Sequence, residues 1–161
     1  MKEEIKPPRS VGIAKVIFLL FSILCPLSLV LEIINLGRPN TSQTLPFWFY
    51  AFFYGLGTPL YAAACFAIRK RRKNARLLSA VSYIFLALHV VVALVWFLFG
   101  FSGAKSPLST NLIVGLDIVQ LALYLWGASI FLFSPKVKSY FNPGHTQTQS
   151  HIPPPPPSFD A

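Results

Sequence analysis

The chain has 161 residues, of which 54% are hydrophobic and only 12% charged, and its mean hydropathy is +0.58; a soluble domain carries about a quarter charged residues. Water is therefore the wrong solvent for most of it. The formal net charge of +9 would suggest a nucleic-acid partner in a soluble protein. Here the basic residues are confined to short segments between long apolar runs, as in the cytoplasmic flanks of membrane spans, so no nucleic acid is expected.

Residues 1–10 are polar, contain Pro7 and Pro8, and read as a short disordered arm. Four apolar segments follow at 11–36, 46–68, 77–100 and 110–133, each about 23 to 26 residues long, enough to cross a hydrocarbon core of about 30 Å with some tilt. The basic residues before the first segment resemble the start of a signal peptide. Its apolar run continues well past the roughly 7–15 residues of a signal core, however, and no small-x-small cleavage site closes it. It is therefore expected to remain as a span.

Gly37, followed by Arg38-Pro39, suits the end of the first helix. The sequon Asn40-Thr41-Ser42 lies too close to the bilayer to be an expected glycosylation site. Phe47, Trp48, Phe49 and Tyr50 open the second helix, and Trp96 and Phe97 close the third, at the depth where aromatic rings with polar tips collect. The links between segments are short, so consecutive helices should be antiparallel neighbours. The expected fold is an all-α, antiparallel four-helix transmembrane bundle.

Sorting the cations gives an orientation. Lys2, Lys6, Arg9 and Lys15 flank the first helix, and Arg69, Lys70, Arg71, Arg72, Lys73 and Arg76 fill the link between the second and third. Lys136 and Lys138 follow the fourth. Only Arg38 and Lys105 fall in the other two links. The positive-inside rule then places both termini and the 69–76 link in the cytoplasm, where the 69–76 cluster would contact anionic lipid head groups.

After the fourth segment, Ser134 stands as a cap before Pro135, and Val137, Tyr140 and Phe141 share one face at helical spacing. A short interfacial helix over 134–142 is expected. Residues 143–161 include five consecutive prolines, Pro153 to Pro157, and read as a disordered or polyproline tail, with an aromatic-lined docking module as its possible partner.

Polar residues inside the spans are sparse and regularly spaced. The second helix aligns Tyr54, Thr58, Tyr61 and Cys65, and the fourth aligns Asp117, Gln120, Tyr124 and Gly127. The third places Ser79, Ser82, His89, Ala93 and Trp96 on a face interrupted by Leu86. The first places Ser22, Cys25 and Glu32 on a face broken by Leu29. Lipid rejects polar groups, so these faces should point into the bundle.

At about 1.5 Å per residue, His89 and Thr58 lie near the midplane and Glu32 near the outer boundary. One reading is a polar funnel from Glu32 through Asp117 and Gln120 to His89, lined also by Tyr54 and Thr58, that binds a cation or passes a proton. The other is that Asp117 hydrogen-bonds Gln120, Tyr54 or Tyr61 and fixes helix register. Pro26 and Pro59 remove backbone hydrogen bonds within helices and either kink them or free carbonyls for an ion.

Cys25 and Cys65 should not pair, because they lie roughly 21 Å and 5 Å from the cytoplasmic ends of their helices and a disulfide needs Cα atoms within about 7 Å. No phosphate-binding glycine loop, zinc spacing or nucleophile elbow occurs. Neither an enzyme nor a metal or cofactor site is expected, and with three histidines in all, bis-histidine haem ligation is not expected either.

The Lys73-Asn74-Ala75-Arg76 entry to the third helix and the Ser134-Pro135-Lys136-Val137-Lys138-Ser139-Tyr140-Phe141 stretch resemble small bacterial four-helix inner-membrane proteins of unknown function. The resemblance implies the same layout over 11–141 and a bacterial inner membrane, without an activity or site residues. The function expected from all this is a non-enzymatic accessory or scaffold subunit, with a membrane-protein partner or a second copy as its associate. The alternative is a small carrier working through Glu32, His89 and Asp117.

Overall fold

The computed structural model describes residues 7–35, 47–99 and 107–142, and every element among them is helical. In chain order these are α1 (Arg9–Asn35), α2 (Phe47–Arg69), α3 (Ala75–Leu98), α4 (Pro107–Phe133) and the short α5 (Pro135–Phe141). Gly37, the 40–42 sequon, the Arg38 and Lys105 links and the proline tail lie outside the described residues.

The helix starts differ from the apolar runs for identifiable reasons. Pro8 offers its carbonyl to the N–H groups of Val11 and Gly12, so α1 starts at Arg9 while still in the polar arm. Pro107 occupies the first position of α4, where its missing N–H costs nothing, and the polar turn that follows is helical although it is not apolar. Helix α3 begins at Ala75, earlier than the apolar pattern implies, because Asn74 already has helical dihedrals and its carbonyl accepts from Leu78. Both internal prolines sit in unbroken α-helix. Pro59 lies on the exposed side of α2, so the carbonyl it frees, that of Gly55, borders lipid and not the bundle interior.

The chain forms two antiparallel hairpins, α1 with α2 and α3 with α4, joined by packing of α2 on α3; α1 and α4 meet only slightly. Six aromatic rings tie all four helices together. Phe18 of α1 stacks on Tyr61 of α2 at 6.3 Å and meets Tyr83 of α3 at 4.9 Å. Phe21 lies 5.7 Å from Tyr61 and 6.4 Å from Tyr124 of α4. Tyr83 in turn touches Tyr124 and Phe131. Association of helices in lipid relies on such packing, because hydrocarbon is as apolar as leucine and gives no hydrophobic drive.

The close approach of α3 and α4 depends on Gly127. A β-carbon there would stand 2.9 Å from two atoms of the Tyr83 ring, so the ring occupies the space that any side chain would need.

The outer surface is the inverse of a soluble protein's. Leucine, isoleucine, valine and phenylalanine side chains are exposed along all four long helices, including Ile13, Leu20 and Leu27 on α1 and Leu116, Leu123 and Phe133 on α4. An apolar surface of this extent needs lipid around it.

Helix α5 closes the end of the bundle where α2 ends and α3 begins. Val137, Tyr140 and Phe141 are buried, and the helix packs on α3 and α4. The face expected from spacing is thus the one that docks. The expected Ser134 cap is not made: its side chain forms no capping hydrogen bond. The preset dihedral of Pro135 and the backbone bond from Lys138 N–H to the Ser134 carbonyl start the helix instead.

Candidate functional site: the polar interior and the basic end

The polar stripes read from spacing reach the packed interior at particular members, whereas the Ser22 hydroxyl of the α1 series bonds the Leu19 carbonyl on the exposed side. On α3, Ser79 and Ser82 are fully buried and so is Leu86, the residue that seemed to break the face. On α2, Tyr61 is buried while Tyr54, Thr58 and Cys65 are half-buried; on α4, Tyr124 is buried and Asp117 and Gln120 are half-buried. Cys25 is buried on α1 and Glu32 half-buried. Both cysteines are free thiols, and the Cys65 thiol points instead at the Lys15 carbonyl, 3.7 Å away across the α1–α2 hairpin.

Most of these groups are satisfied within their own helix. Thr58 donates to the Tyr54 carbonyl at 2.7 Å, Ser79 to that of Ala75 at 2.7 Å and Ser82 to that of Leu78 at 2.8 Å. The Gln120 amide donates to the Tyr124 hydroxyl one turn on. Among the described residues no buried side-chain nitrogen or oxygen lacks a hydrogen-bond partner, which in a bilayer is close to a requirement.

His89 sits in an aromatic pocket supplied by α2. Its ring stacks on Phe53 at 5.0 Å, tilts against Phe49 at 5.2 Å and meets the edge of Tyr54 at 5.5 Å. Phe49 is therefore a buried wall of this pocket. The structure thus brings Tyr54 and His89 together across α2 and α3. Asp117 and Gln120 belong to a second group on α4 with Tyr124, and no contact among the described residues joins Asp117 to His89. No three metal-ligating side chains cluster among the described residues.

The opposite end has a different chemistry. Helix α2 ends in a tight turn in which Arg72 N–H reaches the Ala67 carbonyl and Arg71 N–H the Ile68 carbonyl, the paired bonds of a Schellman cap. That cap needs a left-handed residue, usually glycine, and Arg71 takes the role with φ 48°. The turn deals the cations to two sides. Arg71 stands over the Tyr140 ring of α5 at 5.0 Å. Lys70 and Arg72 both stand over Phe66, at 4.9 and 5.4 Å. Arg69 and Lys73 are exposed and Arg76 is half-buried.

The two described carboxylates, Glu32 and Asp117, are both remote from this end, Glu32 near the far end of α1 and Asp117 in the half of α4 away from α5. Four described helices, Arg9–Ile34, Phe49–Arg69, Ala75–Leu98 and Leu112–Phe133, are long and apolar enough to cross a membrane.

This is a multi-pass membrane protein. No protein-family model matches the chain, and no curated protein or solved structure does either, so the fold and the side chains alone bear on its role. Spacing found the inward polar faces, but not the rings that hold the cations. Phe66 lies four residues before Lys70, a helical i, i+4 pair that was visible in the sequence; the Arg71–Tyr140 contact depends on how α5 folds back and was not.

Proposed function

We propose that the protein is a non-enzymatic accessory or scaffold subunit of a bacterial inner membrane, of the small four-helix kind, with both termini and the α2–α3 turn in the cytoplasm. The observation that carries this reading is the internal satisfaction of the polar groups: Thr58, Ser79, Ser82 and Gln120 all spend their hydrogen bonds within their own helices. A transport or catalytic site requires polar groups that converge on a guest, whereas Thr58, Ser79 and Ser82 turn to the backbone of their own helices and Gln120 to Tyr124 one turn on. The orientation rests on the cations of α1, the α2–α3 turn and α5 lying at one end, with both described carboxylates remote from it.

A carrier acting through Glu32, His89 and Asp117 is the second reading, favoured by the contact of the His89 ring with Tyr54 between α3 and α2. The two are separated by ion flux into liposomes reconstituted with the purified protein. The scaffold reading expects background flux from wild type, Glu32→Gln and Asp117→Asn alike. Flux carried by wild type and lost in either variant would establish the carrier.

A further inference from the structure

We propose that Lys70, Arg72 and Phe66 form a binding site for the phosphate of one anionic phospholipid, whose chain lies along the exposed face of α2. The proposal rests on the reading that the basic end lies in the cytoplasmic head-group layer, and it makes that contact specific.

Three observations carry it. First, Phe66 is 47% exposed in the last turn of α2, on the outer surface of a membrane-spanning helix, so the part of the ring that the two cations leave open meets lipid. Second, the ammonium of Lys70 and the guanidinium of Arg72 both lie over that one ring, which puts two like charges no more than about 10 Å apart. At that separation the oxygens of one phosphate can reach both, and the described carboxylates are remote from this end. Third, the left-handed turn at Arg71 is what sends Lys70 and Arg72 to the same ring while Arg71 goes to Tyr140. A residue other than glycine in that conformation is a cost sustained by its surroundings, and here it fixes the loop in the shape that pairs the two cations.

The ring and the cations match the two halves of a phospholipid at the right depth. The phosphate oxygens accept from the guanidinium fork and the ammonium, and the first methylenes of the chain meet Phe66. A diffuse basic surface would treat its cations alike. A built site does not.

The test uses the full-length protein in mild detergent, titrated with dioleoylphosphatidylglycerol, dioleoylphosphatidylcholine or inorganic phosphate, with bound lipid counted by native mass spectrometry. The wild type is expected to retain one phosphatidylglycerol in preference to phosphatidylcholine, with inorganic phosphate unable to displace it. Lys70→Ala and Arg72→Ala should each weaken retention about tenfold and Phe66→Leu about threefold, while Arg69→Ala and Lys73→Ala, which remove the same charge, change it less than twofold. All of these side chains are exposed, so folding is not at stake; circular dichroism of each variant checks it. Equal losses from all four cation variants would overturn the site and leave the head-group orientation standing. No preference for phosphatidylglycerol would likewise overturn the site and leave the orientation to cysteine labelling, and displacement by inorganic phosphate would overturn the lipid in favour of a bare anion site.

Discussion

Replacing Gly127 by alanine should destabilise the bundle even though alanine is the better helix former. The new β-carbon would stand 2.9 Å from the Tyr83 ring, well inside ordinary contact. That ring cannot easily retreat, because Phe18, Tyr124 and Phe131 lie around it. Overpacking of this kind costs about 1–3 kcal/mol, against a gain of up to about 1 kcal/mol from helix propensity, for a net loss of about 1 kcal/mol.

Gly115 on the same helix is the internal control. Nothing lies within 4 Å of its would-be β-carbon, so Gly115→Ala keeps only the propensity gain and should be neutral or stabilising by up to about 1 kcal/mol. Unfolding of both variants by sodium dodecyl sulfate in mixed micelles, followed by tryptophan fluorescence, gives the comparison. Tyr83→Leu should relieve the clash and give a coupling of at least about 0.5 kcal/mol with Gly127→Ala. Equal stability of the two alanine variants would refute the close packing of α3 on α4.

Other consequences follow from particular contacts. Tyr140→Ala removes a ring that is only 8% exposed and should cost about 3 kcal/mol, read in the same unfolding assay, with increased proteolysis after Phe133 as α5 releases. Arg71→Gly relieves the left-handed backbone but loses the contact with Tyr140, terms of about 1 kcal/mol each, so its stability should stay within about 1 kcal/mol of wild type; Arg71→Val, which keeps neither, should be clearly worse. Tyr124→Phe deletes the acceptor of the Gln120 amide and should cost about 0.5–1.5 kcal/mol; a loss well above that would mean Tyr124 also serves another partner.

Much of the fold was legible because lipid imposes simple demands. Span length, the segregation of Arg69 to Arg76 from Glu32 and Asp117, and the i, i+4, i+7 series through Tyr54, Thr58 and Tyr61 each follow from the cost of a polar or charged group in hydrocarbon. Those demands act within one helix and so can be read along one helix. The azimuth of one helix against another leaves no such trace. Hence the neighbours of His89 were not foreseen: the series on α3 gave its inward direction, but only packing put Phe49 and Phe53 of α2 around it in place of Asp117. The Ser134 cap failed for a local reason, since Pro135 and the backbone supply the start of α5 without the hydroxyl. Gly127 was seen as a member of a polar stripe, and its role as the seat of Tyr83 appears only when α3 and α4 are placed together.

The proposed orientation puts the basic end of the four-span bundle, with the α2–α3 turn and α5, in the cytoplasm. Its most direct test is labelling of single cysteines by a membrane-impermeant maleimide in intact spheroplasts, with Cys25 and Cys65 replaced by alanine. Cysteines introduced at Lys73 and Ser139 should label only after the membrane is permeabilised, and cysteines at Ser42 and Ser102 should label without it. Labelling of Lys73→Cys or Ser139→Cys in intact spheroplasts would contradict the orientation, and opposite behaviour of those two positions would contradict the number of spans.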